Sequence, residues 1–460
     1  RSGQRRNTLI TDSLTLASLS LHVIDCAEGT EGVGMARGVN ITRAVTALCL
    51  VLGGSVLPAS MAHASDVSLR VVSTTPRAGT PGGLPSGAAP QDIASSGGYA
   101  FVANPANPSI STINLSNPTN IRVSATTPLR GSPGYNAGLT DPVSIQVSGN
   151  YGVAANMSGQ AATLLNLTNP LHPTVTGTTP SSGTPGGLPN GSYAADALLD
   201  GSTVFVADYN NLGTFSAVDA ADKSAPVVVS STVLTPRDPG LVYTQKLSRW
   251  GNLLYVMSWV NYSVFVVDIS NPHSPVQIGE TTHTGVGSLP FGGSLGGIAA
   301  ASDGFIVANV LPMASFVSTT DPTHPTVVGT TPQAGSPGSF PANTHLGYVA
   351  VSGTMAFISD SFHDAVYAVD FRDHTHPRVI AATPAAGSPG GLKVGSRPAG
   401  LTVSGNYVYV ANSGTHTVSA LFFNQPDLAN TGLDATRSLP WAIGVVLIGA
   451  ASIALSRRRA

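Results

Sequence analysis

The chain has 460 residues, of which only 10% are charged, and its formal net charge is −2. Average proteins carry about 25% charged residues, and a net charge of −2 argues against electrostatic binding of nucleic acid. The only cysteines, Cys26 and Cys49, fall early in the chain, so everything after them lacks the makings of a disulfide scaffold.

Residues 1–34 show no organised periodicity and read as an upstream, non-structural segment. Residues 35–64 read as a secretory signal peptide. Met35 opens it, Arg37 and Arg43 make the positive region, and Ala44–Leu57 is the apolar run. Ala62-His63-Ala64 is the small-x-small cleavage site, after which Ser65 would begin the mature protein. Cys49 is not expected to carry a lipid, because Leu48 precedes it where a lipoprotein signal needs a small residue.

Residues 65–424 are built from copies of one unit. Its clearest form is Trp250–Ile278, with strand-length apolar runs at Asn252–Trp259 and Ser263–Ile269, a turn at Asn271-Pro272, and a further extended piece from Val276. Strands that are apolar on both sides must be covered on both faces, and copying the unit supplies the cover. Asn114-Leu-Ser-Asn-Pro118 recurs as Asn166-Leu-Thr-Asn-Pro170 and Asp268-Ile-Ser-Asn-Pro272. Thr-Thr-Pro ends at Pro76, Pro128, Pro180 and Pro332, with degenerate copies ending at Pro236, His283 and Pro384. A period of about 50 residues is in the range of four-stranded propeller blades.

The phase of the repeat predicts closure. One copy reads as four strands: Val143–Val147, Tyr151–Ala155, Ala162–Leu167 and Thr174–Thr179. The last offers three, Ala399–Val403, Tyr407–Ala411 and Thr417–Phe422, and its missing outer strand is Ser68–Thr75 at the other end of the chain. The fold class expected is all-β: a seven-bladed β-propeller of four-stranded blades, closed by a blade that both ends share. Such a ring leaves no open sheet edge at the seam.

Gly251–Ser270 resembles the LVIVD repeat, and Gly405–Leu421 resembles the YVTN repeat, both of bacterial β-propeller families. The resemblance implies a propeller over about Ser68 to Phe423 and leaves function open, because propellers serve enzymes, adhesins and scaffolds alike.

The connections from the outer strand of one blade to the inner strand of the next share a Gly/Pro grammar, as in Gly79–Pro85, Gly183–Pro189, Gly335–Pro341 and Gly387–Leu392. They are longer than a strand connection needs, so they are expected to form a binding platform on one face.

Residues 425–438 form a linker that carries Leu428-Ala429-Asn430-Thr431-Gly432, and residues 439–460 read as a transmembrane helix with a basic tail ending in Arg457-Arg458-Arg459. Together they resemble a sortase cell-wall sorting signal. That resemblance implies cleavage between Thr431 and Gly432, transfer to peptidoglycan, and a membrane segment that acts before sorting.

Catalytic patterns are weak. Gly292-Gly-Ser-Leu-Gly296 has the letters of a nucleophile elbow, but a strand rather than a helix is expected to follow. His172, His324 and His376 occupy one repeat position in turns of separate blades and are expected to be turn residues. No metal, cofactor or catalytic set is expected. One column of the inner strands remains, reading Asp92, Ser144, Asp196, Lys246, Gly297, Tyr348 and Gly400 round the ring. These residues could line the axial channel, or simply hydrogen-bond neighbouring blades. The resulting expectation is a secreted, wall-anchored binding or scaffolding propeller whose partners are a sortase, peptidoglycan and an extracellular protein or glycan. The alternative is an extracellular lactonase or other hydrolase acting in the channel.

Overall fold

The computed structural model describes residues 67–424, apart from 211, 238–239, 283–285, 291–293 and 310. They form seven four-stranded antiparallel sheets. Among the described residues the only helix is the short 3-10 turn Pro118–Asn120. The inner strands are Asp92–Ser96, Pro142–Ser148, Tyr193–Asp200, Thr244–Trp250, Leu295–Ala301, Leu346–Ser352 and Pro398–Ser404, one to each blade from the first to the seventh. The seventh sheet is completed by Ser68–Thr74, which pairs with Thr417–Asn424 and sets Leu69 opposite Phe423.

Second strands such as Tyr99–Asn104 are buried at almost every position. One face of each sheet packs on the blade before it and the other on the blade after. Phe205 and Phe215 of the third blade share a core with Leu254 and Phe265 of the fourth. Ala100 and Val102 of the first blade share one with Tyr409 and Ala411 of the seventh, which closes the ring. Each large apolar side chain buried in this way contributes about 1.5–3 kcal/mol.

The sequence markers prove to be strand punctuation. Outer strands end one residue earlier than their sequence suggests, at Thr74 and Thr178. The next threonine then substitutes its side chain for the ladder. Thr179 Oγ1 accepts the Ala162 N–H at 3.1 Å while its own N–H donates to the Ala162 carbonyl at 3.0 Å. Thr75, Thr127, Thr281, Thr331 and Thr383 do the same in their blades. In all of these but Thr281 the next residue is proline, so a backbone about to enter proline keeps its pairing. At the Asn-Pro corners, Asn114 Oδ1 accepts the Ser116 N–H and Asn117 Oδ1 accepts the Thr119 N–H, the local side-chain bonding that favours Asn and Asp in turns.

The Gly/Pro connections hold blades together. The carbonyl of Gly82 accepts the Val123 N–H, from the outer strand of the blade the loop is entering, at 2.8 Å. Gly186, Gly287, Gly338 and Gly390 make the same bond to Val228, Val327, Val379 and Val71. Leu84, Leu188, Phe340 and Leu392 anchor these loops in the core. The length expected to serve a binding platform is therefore used, in its repeated part, to staple five of the seven blades to the connection before them.

The expected cleavage site (Ala62, Ala64, Ser65), the Leu428–Gly432 motif and the segment 439–460 lie outside the described residues. Among the described residues no helix is long and apolar enough to cross a membrane.

Candidate functional site: the axial channel and its mouth

The inner strands approach one another closely around the axis. Gly400 N–H donates to the Gln91 carbonyl at 2.9 Å, across the seam between last and first blades. A Cβ at Gly400 would stand 2.4 Å from Asp92 Oδ1, and one at Gly297 would stand 2.5 Å from the Gly347 carbonyl oxygen. Glycine in this column marks backbone contact between blades.

A cavity of about 260 Å3 runs along the axis, and Asp92, Asp196, Lys246 and Tyr348 line it. Ser144 does not: it is fully buried and its Oγ has no partner. Both carboxylates serve as joints. Asp92 accepts the Ile93 N–H at 2.9 Å through Oδ1 and the Ile145 N–H of the next blade at 3.1 Å through Oδ2. Asp196 accepts the N–H groups of Ala197 and Leu247, both at 3.0 Å, in the same way. The Lys246 ammonium lies over the Tyr348 ring, 4.2 Å from its centre, a cation–π arrangement.

Burial pushes the Asp92 carboxyl up to about 6; Lys246 opposes this and Asp196 adds to it. Burial alone would depress Lys246, but Tyr348, Asp196 and Asp92 outweigh it and hold its pKa above the ordinary lysine range. Burial raises the Tyr348 phenol as well. Lys246 therefore stays an ammonium and is not a free amine nucleophile at neutral pH. Among the described residues no three His, Cys, Asp or Glu side chains gather as a metal-binding group.

The histidines of the corner turns lie in separate blades. His324 Nδ1 and His376 Nδ1 pair with Asp321 and Asp373 of their own turns at 3.1 and 3.0 Å, all exposed, and the His172 N–H closes a turn to the Asn169 carbonyl. Ser294 leads straight into the inner strand Leu295–Ala301, so no helix follows it as an elbow requires.

A second cavity, of about 370 Å3, opens where the connecting loops emerge, over the fourth to seventh blades. Gln245, Trp259, His345, Ser361, Arg397 and Ser413 are among its lining residues, and Tyr348 borders both cavities. The His345 ring stacks on Phe362 with centres 4.7 Å apart and planes 21° apart. Behind the lining, Asp364 accepts the N–H groups of Gly395 and Arg397, each at 2.6 Å. Asp360 accepts the His345 N–H at 3.1 Å. Arg397 is held at φ +45°, a left-handed conformation costly for a residue with a side chain. Sequence reasoning did not find this cluster. Its only local signal is an aromatic residue, Trp259, directly after a second strand, where the first blade has Pro105.

The LVIVD repeat family model matches residues 87–125, 243–282 and 399–416. These stretches fall in the first, fourth and seventh blades, and the last overlaps the stretch that resembles a YVTN repeat. No curated protein sequence matches the chain. Among solved structures, virginiamycin B lyase from Staphylococcus aureus is similar over 77% of this chain and 100% of its own, at 11% identity and a TM-score of 0.51. A putative 6-phosphogluconolactonase from Bacteroides fragilis is similar over 64% of this chain and 86% of its own, at 12% identity and a TM-score of 0.46. BamB from Moraxella catarrhalis is similar over 72% and 84%, at 12% identity and a TM-score of 0.44. At such identities the likeness to the lyase is one of fold alone. The chain is a seven-bladed β-propeller that carries LVIVD repeats.

Proposed function

We propose that this protein is a binding propeller displayed on a bacterial surface, and that it holds an extracellular protein or glycan on the face where the connecting loops emerge. The observation that carries the reading is where large apolar side chains meet solvent. Leu212, Leu241, Trp259, Val260, Phe362 and Val394 are all exposed on that face. Val286, in a connecting loop, and Tyr193, where an inner strand begins, lie on the same face; the opposite face exposes Leu171 and Trp250, and the remaining exposed valines lie on outer strands. A cluster of exposed aromatic and apolar groups on one face is the usual mark of an interaction surface.

Display would follow from the ends of the chain. The Met35–Ala64 segment would direct export, and Leu428–Gly432 would pass the protein to a sortase for attachment to peptidoglycan through Thr431. Thr431→Ala should then move the protein from the wall fraction to the membrane or medium. A wall fraction unchanged by that substitution would reject the anchoring.

Hydrolysis in the channel has less support. Asp92 and Asp196 each use both oxygens to hold backbone N–H groups of two blades, a structural task that fixes their position without calling for a substrate. The test of the binding reading is an array of extracellular proteins and glycans probed with the protein. Phe362→Asp should weaken capture about tenfold or more. Trp250→Asp, on the opposite face, should leave it unchanged. Equal loss from both, or from neither, would reject the assignment of the face.

A further inference from the structure

The mouth cavity has the chemistry of a saccharide site selective for acid, and we propose that it binds a carboxylate-bearing sugar, a uronic-acid unit of an acidic glycan. This deepens the binding reading above and rests on it. The cavity's size, about 370 Å3, lies in the range of small-ligand sites, about 300–1,000 Å3. Its walls combine flat apolar surfaces with donors. Trp259, 41% exposed, and the His345 ring, which stacks on the exposed Phe362 outside the lining, are its flat faces. The apolar face of a pyranose can lie on such rings while Gln245, Ser361 and Ser413 meet its hydroxyl groups.

Charge decides which sugar. Arg397 is the one lining residue with a permanent charge, and no carboxylate faces the cavity. Asp360 and Asp364 stand behind the lining: Asp364 accepts the Gly395 and Arg397 N–H groups, while Asp360 accepts the His345 N–H through Oδ1 and pairs with His363 Nδ1 through Oδ2. Among the described residues the Arg397 side chain makes no ion pair. A guanidinium without a partner, beside a cavity without an acid, matches a planar carboxylate through two parallel hydrogen bonds. Lys246, below Tyr348, adds positive charge deeper along the axis, but Asp92 and Asp196 offset it, so Arg397 is the selecting group.

The geometry is also set in advance. Arg397 keeps its left-handed φ of +45° because Asp364 grips its N–H and that of Gly395. Backbone strain of this kind persists only where the surroundings impose it, and a loop already in place loses less entropy on binding.

The test is calorimetric titration of the full chain with oligogalacturonate and with a neutral galacto-oligosaccharide of the same length. The acidic oligomer is expected to bind about tenfold tighter than the neutral one or more. Arg397→Gln should remove that preference and leave the neutral affinity unchanged. Trp259→Ala should weaken both ligands about tenfold. Melting temperatures within a few degrees of the native protein would show that the variants fold. If Arg397→Gln does not fold, Arg397→Lys, which keeps the charge and loses the fork, should reduce the preference in part. Equal affinity of the native protein for the two oligomers would overturn the proposal, as would binding insensitive to both variants, or binding of neither oligomer. If neither binds while Phe362→Asp still abolishes capture of an array partner, the saccharide assignment falls and the loop-face reading stands.

Discussion

Asp196 joins two blades, because its Oδ2 accepts the N–H of Leu247 in the following blade at 3.0 Å while its Oδ1 holds Ala197 at the same distance. Asp92 repeats the joint between the first and second blades. Removing the carboxylate leaves two N–H groups unpaired beside the axis, each costing about 1–3 kcal/mol if it finds no water. Asp196→Ala should therefore lower stability by about 2 kcal/mol, read as a shift in the urea midpoint with unchanged slope. It should leave capture by the loop face intact. An unshifted midpoint would remove the structural role, and loss of capture without loss of stability would move function into the channel.

Asp208 is fully buried, with Ser216 Oγ donating to its Oδ2 at 2.6 Å and no partner for Oδ1. Burial pushes its carboxyl up to about 7 from an ordinary 3.8, against the bonds from Ser216 and Thr214. The folded protein thus holds a proton that the unfolded chain has already released. Its stability contribution is complete below about pH 4 and declines as pH rises to about 7. The equivalent position is Asn104, Asn156, Asn309 and Asn412 in other blades. Asp208→Asn should stabilise the fold at pH 8 on the order of 2 kcal/mol, read as a higher melting temperature, and should do little at pH 4. A gain independent of pH would show that Asp208 is not the titrating group.

Gly187 lies where its connection doubles back, and a Cβ there would stand 2.1 Å from the Ser181 carbonyl oxygen. Gly83 and Gly391 meet Arg77 and Ala385 in the same way, at 2.2 and 2.3 Å. Gly187→Ala should force the loop off Val228 and cost about 1–3 kcal/mol, visible as a lower melting temperature and faster exchange of the Val228 amide. Shortening Gly183–Pro189 should do more harm than that. A shortened loop at native stability would return these segments to the role of free binding elements.

Deleting Ser68–Thr74 would leave Thr417–Asn424 as an uncovered edge and expose the site of Leu69. Aggregation or a large fall in melting temperature is expected, whereas removal of residues 1–64 should change neither. Equal stability of the two truncations would mean that the ring does not depend on the shared blade.

The sequence alone determined the blade count, the strand order within a blade and the sharing of the last blade. Each rests on local patterns copied at a fixed period: apolar runs, Asn-Pro corners and Thr-Thr-Pro ends. It also exposed the inner-strand column, because Asp92, Asp196 and Lys246 stand out in a chain so poor in charge. Only the tertiary structure decided what those residues do. Asp92 and Asp196 each spend one oxygen on backbone more than 50 positions away, and no repeat pattern records a partner in the next copy. The same holds for the Gly/Pro connections, whose shared grammar reads as a platform until Gly82 is seen bonded to Val123. Trp259, His345 and Arg397 come from loops of three different blades. They belong to the letters that change between copies, so periodicity discards them, and only closure of the ring brings them to one cavity.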